Sequence, residues 1–156
     1  MATRDPCPCG SEKTYSECCG VYHRGEREAP DAEALMRSRF SAYARGNADY
    51  LWKTLHPDHD DRAQARETVL KELREAFVRF RYQSLRVLDR SPPDREGVAR
   101  VLFVARIFER GQDRSFIERS DFLHDGTGWR YLCGATIPVN ILPNRAETYT
   151  LETFPA

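Results

Sequence analysis

The sequence of 156 residues lacks a net charge and lacks any long apolar run. Its 24 basic residues balance its 24 acidic ones, so charge alone gives no argument for a nucleic acid, an anionic membrane or an acidic substrate as a partner. No stretch approaches the roughly 18 uninterrupted apolar residues of a membrane-spanning helix. The N-terminus has a lone arginine, Arg4, with no apolar run behind it. These absences predict a cytoplasmic protein with no membrane partner.

Recognisable catalytic motifs are also missing. The sequence contains no Ser-His-Asp order, no glycine-rich phosphate loop and no evident pair of catalytic carboxylates. Arginines alternate with aromatic residues in VRFRYQSLR, residues 78–86, as in some nucleic-acid-binding surfaces. A half-buried strand with its arginines outward produces the same pattern, and the zero net charge argues against nucleic acid. The sequence gives no support for an enzyme, and whether the protein is one stays open here.

Cysteine, by contrast, is concentrated in one place. Four of the five cysteines lie in the stretch DPCPCGSEKTYSECCG, residues 5–20: Cys7, Cys9, Cys18 and Cys19. In a reducing compartment such a cluster holds a metal more often than it forms disulfides, and four thiolates match a closed, tetrahedral structural zinc site. The segment is too short to bury a core, so metal binding would supply its folding free energy. A redox or disulfide cluster and a catalytic metal are the alternatives.

The stretch CPCGSEKTYSECCG resembles the SEC-C motif, a small zinc knuckle that is attached to many different domains. The resemblance implies that the same four cysteines are zinc ligands and that the knuckle contacts a protein partner. SEC-C loops are usually rich in lysine, whereas this loop contains Glu12 and Glu17 and a single basic residue, Lys13. Together with Arg4 and backbone N–H groups, Lys13 is a candidate to offset the negative charge of the four thiolates.

Three helices are predicted after the cysteine segment. Residues 21–30 are charged and poor in apolar side chains, which indicates a loosely packed linker. Asp31 can cap a first helix, and Asn47 can cap a short second one. The stretch RAQARETVLKELREA, residues 62–76, places apolar residues at a helical period and predicts a third.

Four strands are predicted after Ala76, where the apolar period becomes alternating. The first covers FVRFRYQSLRVLD and changes parity near Gln83 and Ser84, which predicts a β-bulge. The second follows the turn SPPDREG. The last two, SFIERSDFLHD and GWRYLCG, are joined by a short glycine-containing turn. Cys133, in the last strand, is expected to be a small buried hydrophobe.

Helices followed by an antiparallel meander predict an α+β fold. We expect a cone-shaped, cystatin-like domain in which three N-terminal helices pack on a curved four-stranded antiparallel sheet. The expected organisation is a zinc knuckle at 1–20, a linker at 21–30, the α+β domain at 31–137 and an extended C-terminal tail at 138–156. The stretches LMRSRFSAYARGNADYLWKTLHP and FIERSDFLHDGTGWRYLCG resemble the YchJ family, bacterial proteins that join a SEC-C knuckle to a nuclear-transport-factor-like domain. That resemblance implies a fold and a zinc site, but no activity.

Cone-shaped folds can hold a ligand between the helices and the sheet. Tyr43, Arg106 and Glu118 are the candidate pocket residues, because the predicted hairpin places Glu118 opposite Arg106. A solvent-exposed ion pair across the strands is the alternative for these two charges. Arg37 and Arg39, on the first helix, are expected to be solvated.

Two functions follow from these features. The preferred one is a zinc-binding adaptor or binding module that contacts a protein partner through the knuckle, around Lys13 and Tyr15. The alternative is a small-molecule-binding protein or enzyme that uses the pocket of the cone. Exposed sheet faces also allow a homodimer, by analogy at the level of the fold alone. A cone filled by side chains would exclude the pocket.

Overall fold

Helices form the first half of the fold. The computed structural model describes residues 5–156, so Arg4 lies outside the described residues. The α-helices are α1 (Cys19–His23), α2 (Ala32–Arg45), α3 (Ala48–Lys53) and α4 (Arg66–Arg79), and short 3-10 helices lie at Tyr15–Glu17 and Asp60–Ala63. Within residues 5–156, none of the helices combines the length and the apolar character that crossing a membrane requires.

Local capping residues determine the ends of α2 and the start of α3. The Asp31 side chain accepts a hydrogen bond of 2.8 Å from the amide of Ala34. At the other end, Gly46 has a φ of 72°, a left-handed conformation that ends a helix at little cost for glycine. Asn47 then accepts a bond of 3.0 Å from the amide of Tyr50 and begins α3. These caps confirm the predicted positions of both helices.

Helix α4 extends three residues beyond its predicted end. Val78, which the alternating pattern assigned to a strand, is helical and 89% exposed. Leu73 and Phe77 lie one helical turn apart, and both pack against the buried cluster of Ala42, Tyr50 and Leu51. The apolar face of the helix therefore continues through Phe77, and this packing outweighs the alternation that begins there.

The sheet is antiparallel and follows the helices. Its strands are β1 (Arg81–Ser91), β2 (Ala99–Glu109), β3 (Gln112–Asp113), β4 (Phe116–His124) and β5 (Trp129–Pro138). They lie in the order β1-β2-β4-β5, and the two-residue β3 pairs with the end of β2. The register of β1 shifts between Tyr82 and Ser84, which confirms the predicted bulge. Helices packed on this curved antiparallel sheet confirm the α+β fold class.

A register shift between β4 and β5 changes the position of Cys133. Phe122 pairs with Tyr131 and Asp121 pairs with Cys133, so Leu132 is an extra residue in β5. The extra residue turns Cys133 away from the inner face that Tyr131 occupies. Cys133 is exposed, and the expectation that it is a buried hydrophobe is wrong.

Apolar side chains are buried on both faces of the sheet. On the inner face, Val101 and Phe103 of β2 belong to one cluster with Cys9, Leu35 and Phe40. The cysteine segment and helix α2 therefore share a single core with the sheet.

The outer face is covered by the C-terminal segment, residues 139–156. Predicted as an extended tail, this segment forms 3-10 helices at Val139–Ile141 and Ala146–Thr148 and folds back over the sheet. Its buried residues join the outward-facing residues of the strands in a second cluster: Ala146, Tyr149 and Phe154 with Leu102, Val104 and Ile117. The tail packs here because successive residues of β2 are apolar, so both faces of that strand need cover.

Residues 21–30, predicted as a loosely packed linker, are held by specific contacts. Ala29 is buried, and Glu28 accepts a hydrogen bond of 2.9 Å from Nη1 of Arg130 in β5. The Arg130 side chain is only 5% exposed, and its Nε also lies 3.0 Å from the carboxylate of Asp125. Because this partner is about a hundred residues away in the chain, local composition does not reveal the contact.

Candidate metal centre and cavity

The four cysteines of the N-terminal segment converge on one point. Their sulfur atoms all lie within 4.8 Å of one another: those of Cys7, Cys9, Cys18 and Cys19. Cys9 Sγ and Cys18 Sγ are 3.7 Å apart. A tetrahedral zinc ion with Zn–S bonds of about 2.3 Å requires sulfur–sulfur separations of about 3.8 Å. All four cysteines are free thiols, so their donor atoms and spacing fit a single tetrahedral metal ion.

A tight turn places the first pair of sulfurs. The amide of Cys7 donates a hydrogen bond of 2.9 Å to the carbonyl of Lys13, and the amide of Gly10 donates one of 3.2 Å to the carbonyl of Cys7. Gly10 has a φ of 81°, a conformation that residues with a Cβ atom rarely adopt. This turn directs Cys7 and Cys9 toward the start of α1.

The second pair, Cys18 and Cys19, lies where α1 begins. Directly after it, Gly20 packs so closely on the preceding turn that a Cβ atom would lie 2.7 Å from the carbonyl oxygen of Tyr15. Atoms at that distance overlap, so the close approach of α1 to the Tyr15 turn requires glycine at this position.

Polar groups surround the sulfur atoms. The Ser11 hydroxyl lies 3.1 Å from Cys18 Sγ and the Ser41 hydroxyl lies 3.4 Å from Cys7 Sγ. Arg37, expected in solvent, is partly buried and donates a bond of 2.8 Å from Nη1 to the carbonyl of Cys9. Arg37 therefore brings a positive charge to the backbone of the cysteine turn, whereas Lys13 is exposed.

Contacts between the thiols shift their pKa values. The pKa of Cys7 lies well below its ordinary value, because the thiols of Cys19 and Cys9 hydrogen-bond to its sulfur. The same contacts, together with burial, raise the pKa of Cys19. These contacts favour the thiolate form of Cys7 over that of Cys19, and a bound cation would favour the thiolate form of all four ligands.

His23 connects the metal centre to α2. Its Nε2 donates a hydrogen bond of 2.8 Å to the carbonyl of Ser38, so its Nδ1 is the acceptor for the Tyr15 hydroxyl at 2.5 Å. Burial lowers the pKa of His23, which favours the neutral ring that this pattern needs. No partner for His23 was predicted, because one contact depends on how the Tyr15 turn folds against α1 and the other on how α1 packs against α2.

A cavity of about 280 Å³ lies between α2 and the inner face of the sheet. Its wall is largely aromatic, with contributions from Phe40, Phe80, Tyr82, Phe103, Phe116 and Phe122. A cavity of about 150 Å³ is enough to hold benzene. The cone is therefore not filled by its own side chains and has room for a small organic molecule.

Two of the three predicted pocket residues line this cavity. Tyr43 and Glu118 are in its wall, whereas Arg106 lies on the opposite face of the sheet and pairs with Glu147 of the C-terminal segment. The predicted pairing of Arg106 with Glu118 does not form, because the register of β2 and β4 places Phe103 opposite Glu118. Residues at an odd spacing along a strand face opposite sides of the sheet.

Arg39 is a cavity residue that the sequence analysis assigned to solvent. Its side chain is buried, with the residue 8% exposed, and Nη1 donates hydrogen bonds of 2.9 Å to the carbonyl of Leu51 and 2.6 Å to the hydroxyl of Thr54. Its guanidinium carbon lies 4.8 Å from the centre of the Tyr131 ring.

A signal for Arg39 was present in the sequence. Arg39 follows Met36 by three positions and precedes Tyr43 by four, so the helical period places it on the same face as these apolar residues. The general preference of arginine for solvent outweighed that position in the prediction.

Glu118 and two tyrosines complete the polar part of the cavity. The Glu118 carboxylate accepts hydrogen bonds from the hydroxyls of Ser120, Tyr131 and Thr136. Burial raises the pKa of Tyr43 and that of Tyr82, so both phenols keep their protons at neutral pH. The arrangement offers hydrogen-bond donors at one part of an aromatic chamber and an acceptor at another.

Sequence comparison places the chain among known proteins. Residues 31–134 match the family model described as the YchJ middle NTF2-like domain, and residues 4–20 match the SEC-C motif. The UPF0225 protein YchJ of Shigella dysenteriae serotype 1 (strain Sd197) is 41% identical over 128 residues, which cover 82% of this chain and 81% of that relative.

Solved structures show the same architecture. A SEC-C motif containing protein from Rhodopseudomonas palustris, solved in solution, is 33% identical with a TM-score of 0.72, over 85% of this chain and 99% of that one. A SEC-C motif containing protein from Psychrobacter arcticus has a TM-score of 0.69 over 85% of this chain and 82% of that one. At 23% identity, the second comparison shows the fold alone.

Proposed function

Because this chain belongs to the YchJ family and carries a SEC-C motif ahead of its NTF2-like domain, we propose that it is a zinc-stabilised protein that binds a small molecule in its cone-shaped domain. The observation that carries the binding role is the open aromatic cavity with Arg39 and Glu118 in its wall. A pocket that is mostly apolar, with a few convergent polar groups, is typical of small-molecule sites.

Zinc is the metal proposed for the cysteine cluster. Four thiolates in a tetrahedral arrangement are the donor set typical of structural zinc. Cys9 and Cys19 are almost completely buried, and four protein ligands leave no position for water or substrate. In this role the ion holds residues 5–20 against α2 and takes no part in catalysis.

Elemental mass spectrometry of gently purified protein tests the metal. We expect equimolar zinc in the wild-type protein and in Cys133→Ser, since Cys133 is exposed and outside the cluster. Cys18→Ser removes one ligand, so we expect it to lose most of its zinc. Wild-type protein without zinc, or with disulfides among these four cysteines, would overturn this part of the proposal.

A cavity-filling variant tests the binding role. Ala105 is in the cavity wall and buried, so Ala105→Phe should occupy much of the space. Naphthol, a neutral aromatic probe, should bind the wild-type protein and the control Ala44→Phe, which changes an exposed position of α2, but not Ala105→Phe. Chemical-shift changes in two-dimensional NMR spectra report binding and confirm that each variant is folded. Equal binding by both variants would place the probe outside the cavity.

A protein-interaction role for the knuckle has less support from the described residues. Lys13 is exposed, as such a role needs. Tyr15, the other predicted contact residue, bonds to His23, and the guanidinium of Arg45 lies 3.8 Å from the centre of its ring. Because Tyr15 is occupied by the fold itself, the adaptor role rests on the SEC-C resemblance alone, and we place ligand binding first.

A further inference from the structure

We infer that the ligand of the cavity is an aromatic carboxylate that carries a hydrogen-bond donor at the end remote from its carboxylate. This inference rests on the proposed ligand-binding function and specifies the chemical class of the ligand. Three observations support it. The first is the ion pairing of Arg39, the second is the number of hydrogen-bond acceptor positions left on Glu118, and the third is the volume and lining of the cavity between them.

Arg39 is a buried cation without an anionic partner. It is 8% exposed and, among residues 5–156, no carboxylate lies within ion-pair distance of it. Buried charges in proteins are normally paired. Both of its hydrogen bonds use Nη1, so the donors on Nε and Nη2 remain for a ligand. This planar pair of donors matches the two oxygens of a carboxylate.

Glu118, in contrast to Arg39, requires a hydrogen-bond donor from the ligand. Its carboxylate forms no ion pair with any described residue, and its hydrogen bonds come from three hydroxyl groups. Two carboxylate oxygens have about four acceptor positions, so at least one remains. A hydroxyl or amine of the ligand can donate to it.

Tyr131 separates the two charged groups. The guanidinium of Arg39 lies over the ring, while Glu118 accepts from the hydroxyl at the end of the same side chain at 2.9 Å. A ligand that reaches both groups must therefore span a distance comparable to an aromatic ring, with an acceptor at one end and a donor at the other.

The size and walls of the chamber select the body of the ligand. At about 280 Å³ it has nearly twice the volume of a cavity that holds benzene, which corresponds to about a dozen non-hydrogen atoms. Aromatic walls favour a flat ring system through stacked and edge-to-face contacts. A nucleotide is too large for this space, and a cationic ligand would leave Arg39 unpaired.

Three matched probes test the class by calorimetry on the wild-type protein. Hydroxynaphthoate, with its hydroxyl on the ring remote from the carboxylate, should bind most tightly. Hydroxynaphthamide replaces the carboxylate by a neutral group, and naphthoate lacks the hydroxyl. Charge-assisted hydrogen bonds are stronger than neutral ones, so we expect each change to weaken binding by about tenfold or more.

A matched pair of arginine variants links the effect to the site. Arg39→Gln keeps a donor for Leu51 and Thr54 but removes the charge, and it should abolish the preference for hydroxynaphthoate over hydroxynaphthamide. Arg106→Gln changes an arginine on the opposite face of the sheet and should keep the preference. If Arg39→Gln fails to fold, the comparison of the three probes on the wild-type protein still tests whether the site prefers a carboxylate with a remote hydroxyl.

The outcomes separate this inference from the proposed function. Equal affinity for the acid and the amide would overturn the ligand class but leave cavity binding intact, provided that Ala105→Phe abolishes both. Absence of binding by all three probes and by naphthol would overturn the binding role itself.

Discussion

The imidazole of His23 shows how burial determines the protonation state of a side chain beside the metal centre. It donates to the carbonyl of Ser38 and accepts from the hydroxyl of Tyr15, and burial lowers its pKa from the ordinary 6.5. The unfolded chain therefore takes up this proton at a higher pH than the native protein does. The resulting stabilisation is complete above the pKa that His23 has in the unfolded chain. It is lost as the pH falls through the lower pKa that His23 has in the native protein.

We therefore expect His23→Gln to reduce the pH dependence of stability. Below pH 6.5, the ordinary pKa of histidine, the free energy of unfolding of the wild-type protein should fall more steeply than that of the variant. Urea denaturation at a series of pH values measures both slopes. His124→Gln, at the exposed end of β4, is the control and should retain the wild-type slope. If the free energy of unfolding depended on pH in the same way in the wild type and in His23→Gln, the lowered pKa of His23 would be contradicted.

Residues of the site could be predicted from the sequence where a short, local motif marks them. Cys7, Cys9, Cys18 and Cys19 were predicted as ligands from their clustering and from the resemblance to the SEC-C motif, because the turn that joins them is encoded between them. Arg106 was misplaced because its partner depends on a strand register that begins at a hairpin. The predicted register differs from the observed one by three residues, and an odd shift pairs side chains that lie on opposite faces.

Among the elements, β5 is tied to the segment before α2 by a buried arginine. Arg130 is 5% exposed and pairs with Glu28 and Asp125. Removing one partner of a buried charge leaves its desolvation uncompensated. This contact explains why residues 21–30 are packed despite their polar composition.

We expect Glu28→Ala to destabilise the protein by about 1–3 kcal/mol, the cost of leaving a buried hydrogen-bond donor of Arg130 without its acceptor. Glu26→Ala is the matched control, because Glu26 pairs with Arg24 at the surface and surface ion pairs contribute little. Denaturant unfolding gives both values. An equal loss in the two variants would mean that the buried position of Arg130 adds nothing to the contact.

Element boundaries were predictable where capping residues mark them. Asp31, Gly46 and Asn47 determine their helix ends by local hydrogen bonds and backbone conformation. The end of α4 was not predictable in this way. Phe77 and Val78 fit both a helical and an alternating pattern, and only the packing of Phe77 against residues of α2 and α3 decides between them.

For the molecule as a whole, the sheet is buried on both faces. Removing residues 139–156 would expose Leu102, Val104 and Ile117. Since exposing each such side chain costs about 1.5–3 kcal/mol, we expect truncation after Pro138 to give a protein that aggregates. Light scattering and binding of a hydrophobic dye measure this. Truncation after Phe154 keeps the covering residues and should behave as the full chain does.

The metal centre and the body of the protein share one core. Cys7, Cys9 and Cys19 lie in the same apolar cluster as Leu35 and Phe40. A metal that binds only the native state stabilises everything that unfolds with it. We therefore expect chelation to lower the midpoint of a single thermal transition. Calorimetry that showed two transitions, with only the first affected by chelator, would contradict a shared core.

The position of Cys133 has a practical consequence. It is exposed, whereas the other four cysteines converge in the N-terminal cluster. Partial burial of the sulfur and the neighbouring Asp121 raise the pKa of Cys133, so its alkylation by a maleimide should be faster at mildly alkaline than at neutral pH. If the cluster is occupied by a metal that shields its sulfurs, the number of alkylated thiols per chain becomes a direct gauge of metal occupancy in any preparation.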